Sequence, residues 1–130
     1  KKIEISKAVL ANKTNLRKIV KIVHKEVRKK LKVFLKKNRT KKIVILDIPL
    51  LLENKINNNK DILVFVDSKK IDIEKKLKKR KNLNYKLYNN FKKIQYSAMF
   101  KKKKSHFIIK NNFRDKTVKK DIKNILGKIL

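Results

Sequence analysis

The chain has 130 residues, 41% of them hydrophobic, with 41 basic against 10 acidic side chains and a net charge of +31, which suits one domain with a core. It has no cysteine and only two histidines, His24 and His106, which excludes disulfides, thiolate metal sites and multi-histidine metal sites. The longest apolar run, 43–52, is broken by Asp47 and Pro49 and falls short of the ~20 residues of a membrane span.

Residues 3–12 are weakly patterned and predict a short helix and turn. A long helix is expected from about Thr14, with Thr14 or Asn12 as N-cap. Along it Leu16, Ile19, Val20, Val23, Val27, Leu31 and Phe34 recur at helical spacing, with Lys and Arg on the other face. His24 lies at the edge of that stripe, where it reads either as a half-buried packing histidine or as a ligand-binding one. A polar connection, 38–42, leads into Ile43-Val44-Ile45-Leu46, an unbroken apolar run expected to be a strand buried on both faces of a parallel sheet. Asp47 would then sit at the strand's carboxyl end, where open α/β sheets bind ligands, and Pro49, the chain's single proline, breaks the run.

An Asn-rich loop at 54–61 precedes a second strand, 62–66, closed by Asp67 and Ser68, either of which can cap a helix over 69–80. A turn at 81–84 leads to a helix over 85–103 carrying Leu87, Phe91, Ile94 and Ala98. A third strand at 106–110 ends at Asn111-Asn112, and a helix from about Asp115 carries Val118, Ile122, Ile125 and Ile129. Strands alternating with helices imply βαβ units and a parallel sheet. Three strands are few for a complete doubly wound domain. Lys1 stands in place of a start methionine inside a helical region, so a fragment is the expectation, with further strands before Lys1.

The charge admits two explanations. A strongly basic domain suits nucleic acid or another polyanion. Yet the lysines run from Lys1 to Lys128, arginine is scarce, and Lys, Ile and Asn make up about half the chain, as an AT-rich coding bias would produce. Base readers favour arginine for bidentate contacts, so nucleic acid is not the expected partner, although anionic ligands are favoured.

Several segments in order resemble one family. Asp47-Ile48-Pro49-Leu50-Leu51-Leu52-Glu53 is similar to the DxPLLxE segment of dephospho-coenzyme A kinases. Val9-Leu10-Ala11-Asn12 followed by Ile22-Val23-His24 resembles that family's "VFANP…LE.I.HP", and the strand before Asp67 resembles "VVVVD". Arg80 falls where the family's lid opens on an arginine, Gln95 where it has the glutamine of "RIxxQ", and Ile109-Lys110-Asn111-Asn112 near its "IxNxG" ending. Departures are Lys25 for the proline after the histidine, Lys76 for an arginine, and Phe113 for the glycine after the Asn pair. No GxxxxGK[ST] phosphate-binding loop occurs anywhere, and Gly127, the only glycine, belongs to the last helix.

The resemblance implies an α/β fold: a three-layer α/β/α P-loop kinase with a parallel sheet, incomplete at the N-terminus, and a helical lid. It implies a single partial domain over 1–130, divided into a helical substrate-side region (1–38), core strands and helix (39–80), lid helices (81–104), and last strand with C-terminal helix (105–130). The implied activity is phosphorylation of the ribose 3′-hydroxyl of dephospho-coenzyme A, with ATP and Mg2+, by a cytoplasmic monomer. Asp47 and Arg80 are the implied catalytic residues. His24, Pro49, Glu53 and Gln95 belong to the substrate side, and Arg80, Lys101 and Asn111 to ATP. By residue chemistry alone Asp47 and Glu53 can equally cap turns, Pro49 shapes the chain, Arg80 ends a helix, and 101–104 is a solvated helix end favoured by the macrodipole. The alternatives are another nucleoside monophosphate kinase and a non-catalytic basic nucleic-acid binder.

Overall fold

A computed structural model describes residues 2–81 and 83–130, with the side chains of Lys2 and Lys13 left aside. The expected turn at 81–84 includes Asn82, which lies outside the described residues. The chain divides into two compact units, Lys1–Asn57 with Tyr85–Gln95, and Asn58–Asn84 with Tyr96–Leu130.

The first unit is helical. Helix α1 (Lys2–Ala11) packs against α2 (Lys13–Lys37). Asn12 stops the first and starts the second: it is extended (φ −146°, ψ 125°), and its side-chain oxygen accepts from the Thr14 amide at 2.9 Å and the Thr14 hydroxyl at 2.8 Å. This settles the N-cap in favour of Asn12. The Asn15 side-chain amide donates back to the Ala8 carbonyl at 3.0 Å, tying the two helix ends together. Val9, Leu16 and His24 are the buried residues among those described. At the far end Asn38 closes α2, its side-chain amide donating to the Phe34 carbonyl at 2.9 Å. Phe34, placed on the apolar stripe, is 45% exposed.

The segment 43–48 takes no regular secondary structure and joins no ladder among the described residues. Ile45 is 84% exposed, whereas Val44, Leu46 and Ile48 are half-buried, so the run shows the period of a strand with one open face. This corrects the expectation of a strand buried on both faces, because burial of that kind needs hydrogen-bonded neighbours and a helix layer on each side.

The second unit holds the sheet. Strands β1 (Val64–Asp67) and β2 (Phe107–Lys110) pair in parallel, Val64 opposite Phe107 and Asp67 opposite Lys110. Partners in this register share a face of the sheet. Phe107 and Ile109 are half-buried while Val64 and Val66 beside them are exposed, and on the other face Phe65 is half-buried beside exposed Ile108. Each face is therefore covered over one strand and open over the other.

Between the strands run α3 (Lys70–Lys78) and α5 (Ala98–Lys104); α4 (Tyr85–Lys93) belongs to the first unit, where it packs on α1. The N-cap of α3 is Lys69, without a side-chain cap bond, so neither Asp67 nor Ser68 takes the expected capping role. The single helix expected over 85–103 is two helices. Ser97 is extended (ψ 152°) and accepts from the Phe100 amide at 3.2 Å, starting α5. A serine hydroxyl that satisfies a new helix start competes with continuing the old one. Finally α6 (Asp115–Ile129) packs on β2, and its Asp121 carboxylate accepts the Lys110 amide at 2.9 Å.

Candidate functional site

Two groups of candidate residues emerge, one in each unit. The first is built on the segment after Leu46. Asp47 is exposed directly after the apolar run 43–46, and Pro49 is exposed two residues on. Leu50 then takes a left-handed conformation, φ 57°, which is unusual for a branched side chain. The turn is held by its own donors: the Asn54 amide and side chain both reach the Leu50 carbonyl at 3.0 Å, and the Ile56 amide reaches Leu51 at 3.0 Å. Arg28 of α2 donates its guanidinium to the Asn54 carbonyl, fastening this loop to the long helix. Glu53 is half-buried within the turn.

His24 is also in this unit, one turn before Arg28 on α2. It is 5% exposed, and its Nδ1 has no hydrogen-bond partner among the described residues. Gln95 is exposed just after α4, its amide bonded to the Lys92 carbonyl at 3.2 Å.

The second group gathers at the carboxyl ends of β1 and β2. The Asn111 amide donates to the Asp67 carbonyl at 2.7 Å, continuing the parallel ladder one residue past the strands. Lys102 of α5 places its ammonium 2.6 Å from the Asp67 carboxylate, so the helix is pinned over the strand end. Lys101, its neighbour, is half-buried, and the Ser105 hydroxyl donates to the Lys101 carbonyl at 2.9 Å. The Asn111 side-chain oxygen accepts the Phe113 amide at 2.8 Å, and Phe113 sits at φ 60°. This is the position where a glycine was expected, and the backbone shows why: it is a left-handed turn that a glycine enters without strain. Lys76 of α3 covers the Phe113 ring at 5.1 Å, joining two of the three family departures in one cation–π contact. Arg80 lies exposed just past α3, its backbone amide bonded to the Leu77 carbonyl at 3.0 Å.

The structure places the sequence-derived candidates His24, Asp47, Pro49, Glu53 and Gln95 in the first unit and Arg80, Lys101 and Asn111 in the second. The sequence did not reveal the partnership of Asp67 with Lys102, 35 positions apart in a lysine-rich chain, where no spacing signal exists. Nor did it reveal a cleft between α2 and α4 lined by Arg17, Asn90 and Lys93. Among the described residues no group of three or more His, Asp or Glu side chains is placed to hold a metal ion. No described helix is long and apolar enough to cross a membrane.

The family described as dephospho-CoA kinase matches residues 1–116. The chain is 31% identical over 127 residues to the dephospho-CoA kinase of Wolbachia pipientis wMel, covering 96% of this chain and 65% of that protein. It is 30% identical over 121 residues to the enzyme of the same name from Prochlorococcus marinus strain NATL2A, covering 93% of the chain and 56% of the relative. The corresponding protein of Zymomonas mobilis is 26% identical over 119 residues, 92% of this chain and 60% of that one. The chain therefore spans between half and two thirds of the length of these relatives. With most of its residues matched, the chain belongs to the dephospho-CoA kinase family.

Proposed function

We propose that this chain contributes to ATP-dependent phosphorylation of the ribose 3′-hydroxyl of dephospho-coenzyme A, within a three-layer P-loop kinase of cytoplasmic location. Family membership carries this reading, supported by the acid, Asp47, exposed directly after the apolar run 43–46. Phosphoryl transfer needs positioning and charge neutralisation more than covalent chemistry. Asp47 orients the acceptor or the water shell of Mg2+. His24, Pro49, Glu53 and Gln95 form the acceptor side, while Arg80, Lys101 and Asn111 serve ATP. The functional division runs as 1–38 substrate side, 39–80 core, 81–104 lid and 105–130 last strand and helix.

Magnesium in such sites takes one or two carboxylates and completes its shell with phosphates and water. An exposed Asp47 fits that donor set. When bound, the ion neutralises charge on the transferring phosphates. The 130 residues contain no glycine-rich loop to cradle β- and γ-phosphates, so we expect no turnover by this chain alone.

Calorimetric titration with dephospho-coenzyme A, AMP, CMP and an unrelated DNA duplex, at two salt concentrations, tests the reading. Preference for dephospho-coenzyme A with weak salt dependence is the expected result. Equal binding of AMP or CMP would move the assignment to a nucleoside monophosphate kinase. Duplex binding with a steep salt slope and no nucleotide effect would indicate a basic nucleic-acid binder.

A further inference from the structure

We propose that the cleft between the first turn of α2 and the last turn of α4 binds the diphosphate of the acceptor. The cleft has a volume of about 300 Å³ and is lined by Thr14, Leu16, Arg17, Asn90, Lys93 and Ile94. That volume is at the lower end of small-molecule sites, which span about 300–1,000 Å³. All six residues lie in one unit.

Its chemistry is one-sided. Arg17 and Lys93 bring two full positive charges from two different helices, and no carboxylate lines the cleft. The side chains of Arg17, Asn90 and Lys93 have no hydrogen-bond or ion-pair partner among the described residues. The helix terminus itself is not the donor, because Asn12 already takes both the Thr14 amide and the Thr14 hydroxyl. What remains is a planar guanidinium fork, an ammonium and a side-chain amide, with Leu16 and Ile94 as apolar wall.

A lone carboxylate is satisfied by the arginine fork alone. Two cations and an amide donor instead match a group with several negative oxygens, a phosphate ester or a diphosphate. The acceptor in the proposed reaction carries such a diphosphate, and ATP carries a triphosphate. The choice of the acceptor rests on the function proposed above and on the cleft lying in the same unit as His24, Asp47 and Glu53. The presence of unpaired cations in the cleft does not depend on that function.

The test titrates the isotope-labelled 130-residue chain with inorganic pyrophosphate near physiological salt, following the Asn90 side-chain amide and the Arg17 Nε–H by NMR. Arg17→Gln and Lys93→Gln are each expected to weaken binding about tenfold, the scale of one charge-assisted contact. Lys29→Gln and Lys37→Gln remove the same charge elsewhere on α2 and are expected to change it by less than about twofold. Unchanged backbone signals of α1 and α2 show that a variant is folded, and Arg17→Lys is expected to recover part of the affinity. Equal loss in all four variants means diffuse attraction and overturns the proposal. Displacement of pyrophosphate by dephospho-coenzyme A, impaired by the same two variants, supports it. Displacement by ATP alone overturns it, as does dephospho-coenzyme A binding that ignores both variants; the latter leaves the kinase reading standing. Pyrophosphate held by Arg17 and Lys93 without any binding of dephospho-coenzyme A overturns the acceptor assignment and the proposed function together.

Discussion

The Asn111 side chain accepts the Phe113 amide at 2.8 Å, and that bond holds a phenylalanine in the left-handed region at φ 60°. A non-glycine residue there costs about 1–2 kcal/mol, offset by the Asn111 bond and by the Lys76 ammonium over the ring. Phe113→Gly relieves the backbone and loses the ring contact, so stability is expected to stay within about 1 kcal/mol of the parent. Phe113→Ala keeps the strain without the contact and should lose about 1 kcal/mol, and Phe113→Val more, since β-branching fits that region worst. Amide exchange across 111–116 reads the order; valine equal to glycine would refute the account.

The Asp67–Lys102 pair is half-exposed, with side chains 33% and 41% accessible, which limits its energy despite the 2.6 Å separation. A double-mutant cycle with Asp67→Asn and Lys102→Gln should give a coupling of about 0.5–1 kcal/mol. The coupling should fade at 1 M salt, where the screening length is about 3 Å. A salt-independent coupling would mean that packing of the lysine stem, not charge, joins α5 to β1.

Asn12 starts α2 through one side chain, which accepts both the Thr14 amide and the Thr14 hydroxyl. Asn12→Ala is expected to cost about 1 kcal/mol and to speed amide exchange at Thr14, whereas Asn12→Ser or Asn12→Asp retains the cap. Circular dichroism and exchange rates together check this. Loss of helicity in all three variants would point to a role other than capping.

His24 keeps Nδ1 without a hydrogen-bond partner among the described residues, at 5% exposure. Burying an unpaired polar atom costs about 1–3 kcal/mol, so His24→Leu should be neutral or stabilise α2 by about 1 kcal/mol in native-state exchange. If His24 also contacts the acceptor, as proposed, the same variant loses dephospho-coenzyme A affinity while gaining stability. A gain with unchanged affinity would leave His24 a packing residue.

Periodicity was enough to place α2, both strands and α6, because an amphipathic stripe or a β-branched run is a local property of consecutive residues. The DIPLLLE segment, with the ordered matches around it, was likewise enough to indicate the family. What consecutive residues cannot encode is which edge finds a partner. Ile43 to Leu46 and Phe107 to Lys110 have the same apolar character, yet only the latter is in a ladder, since pairing depends on a distant strand arriving in register. The division of the 85–103 helix at Ser97 was decided by a single hydroxyl capping the next helix. The Asp67–Lys102 pair and the Arg17–Lys93 cleft were decided by folding alone. In a chain with 41 basic residues, composition and periodicity distinguish no lysine from another; proximity to an acid, a ring or an empty cleft does so.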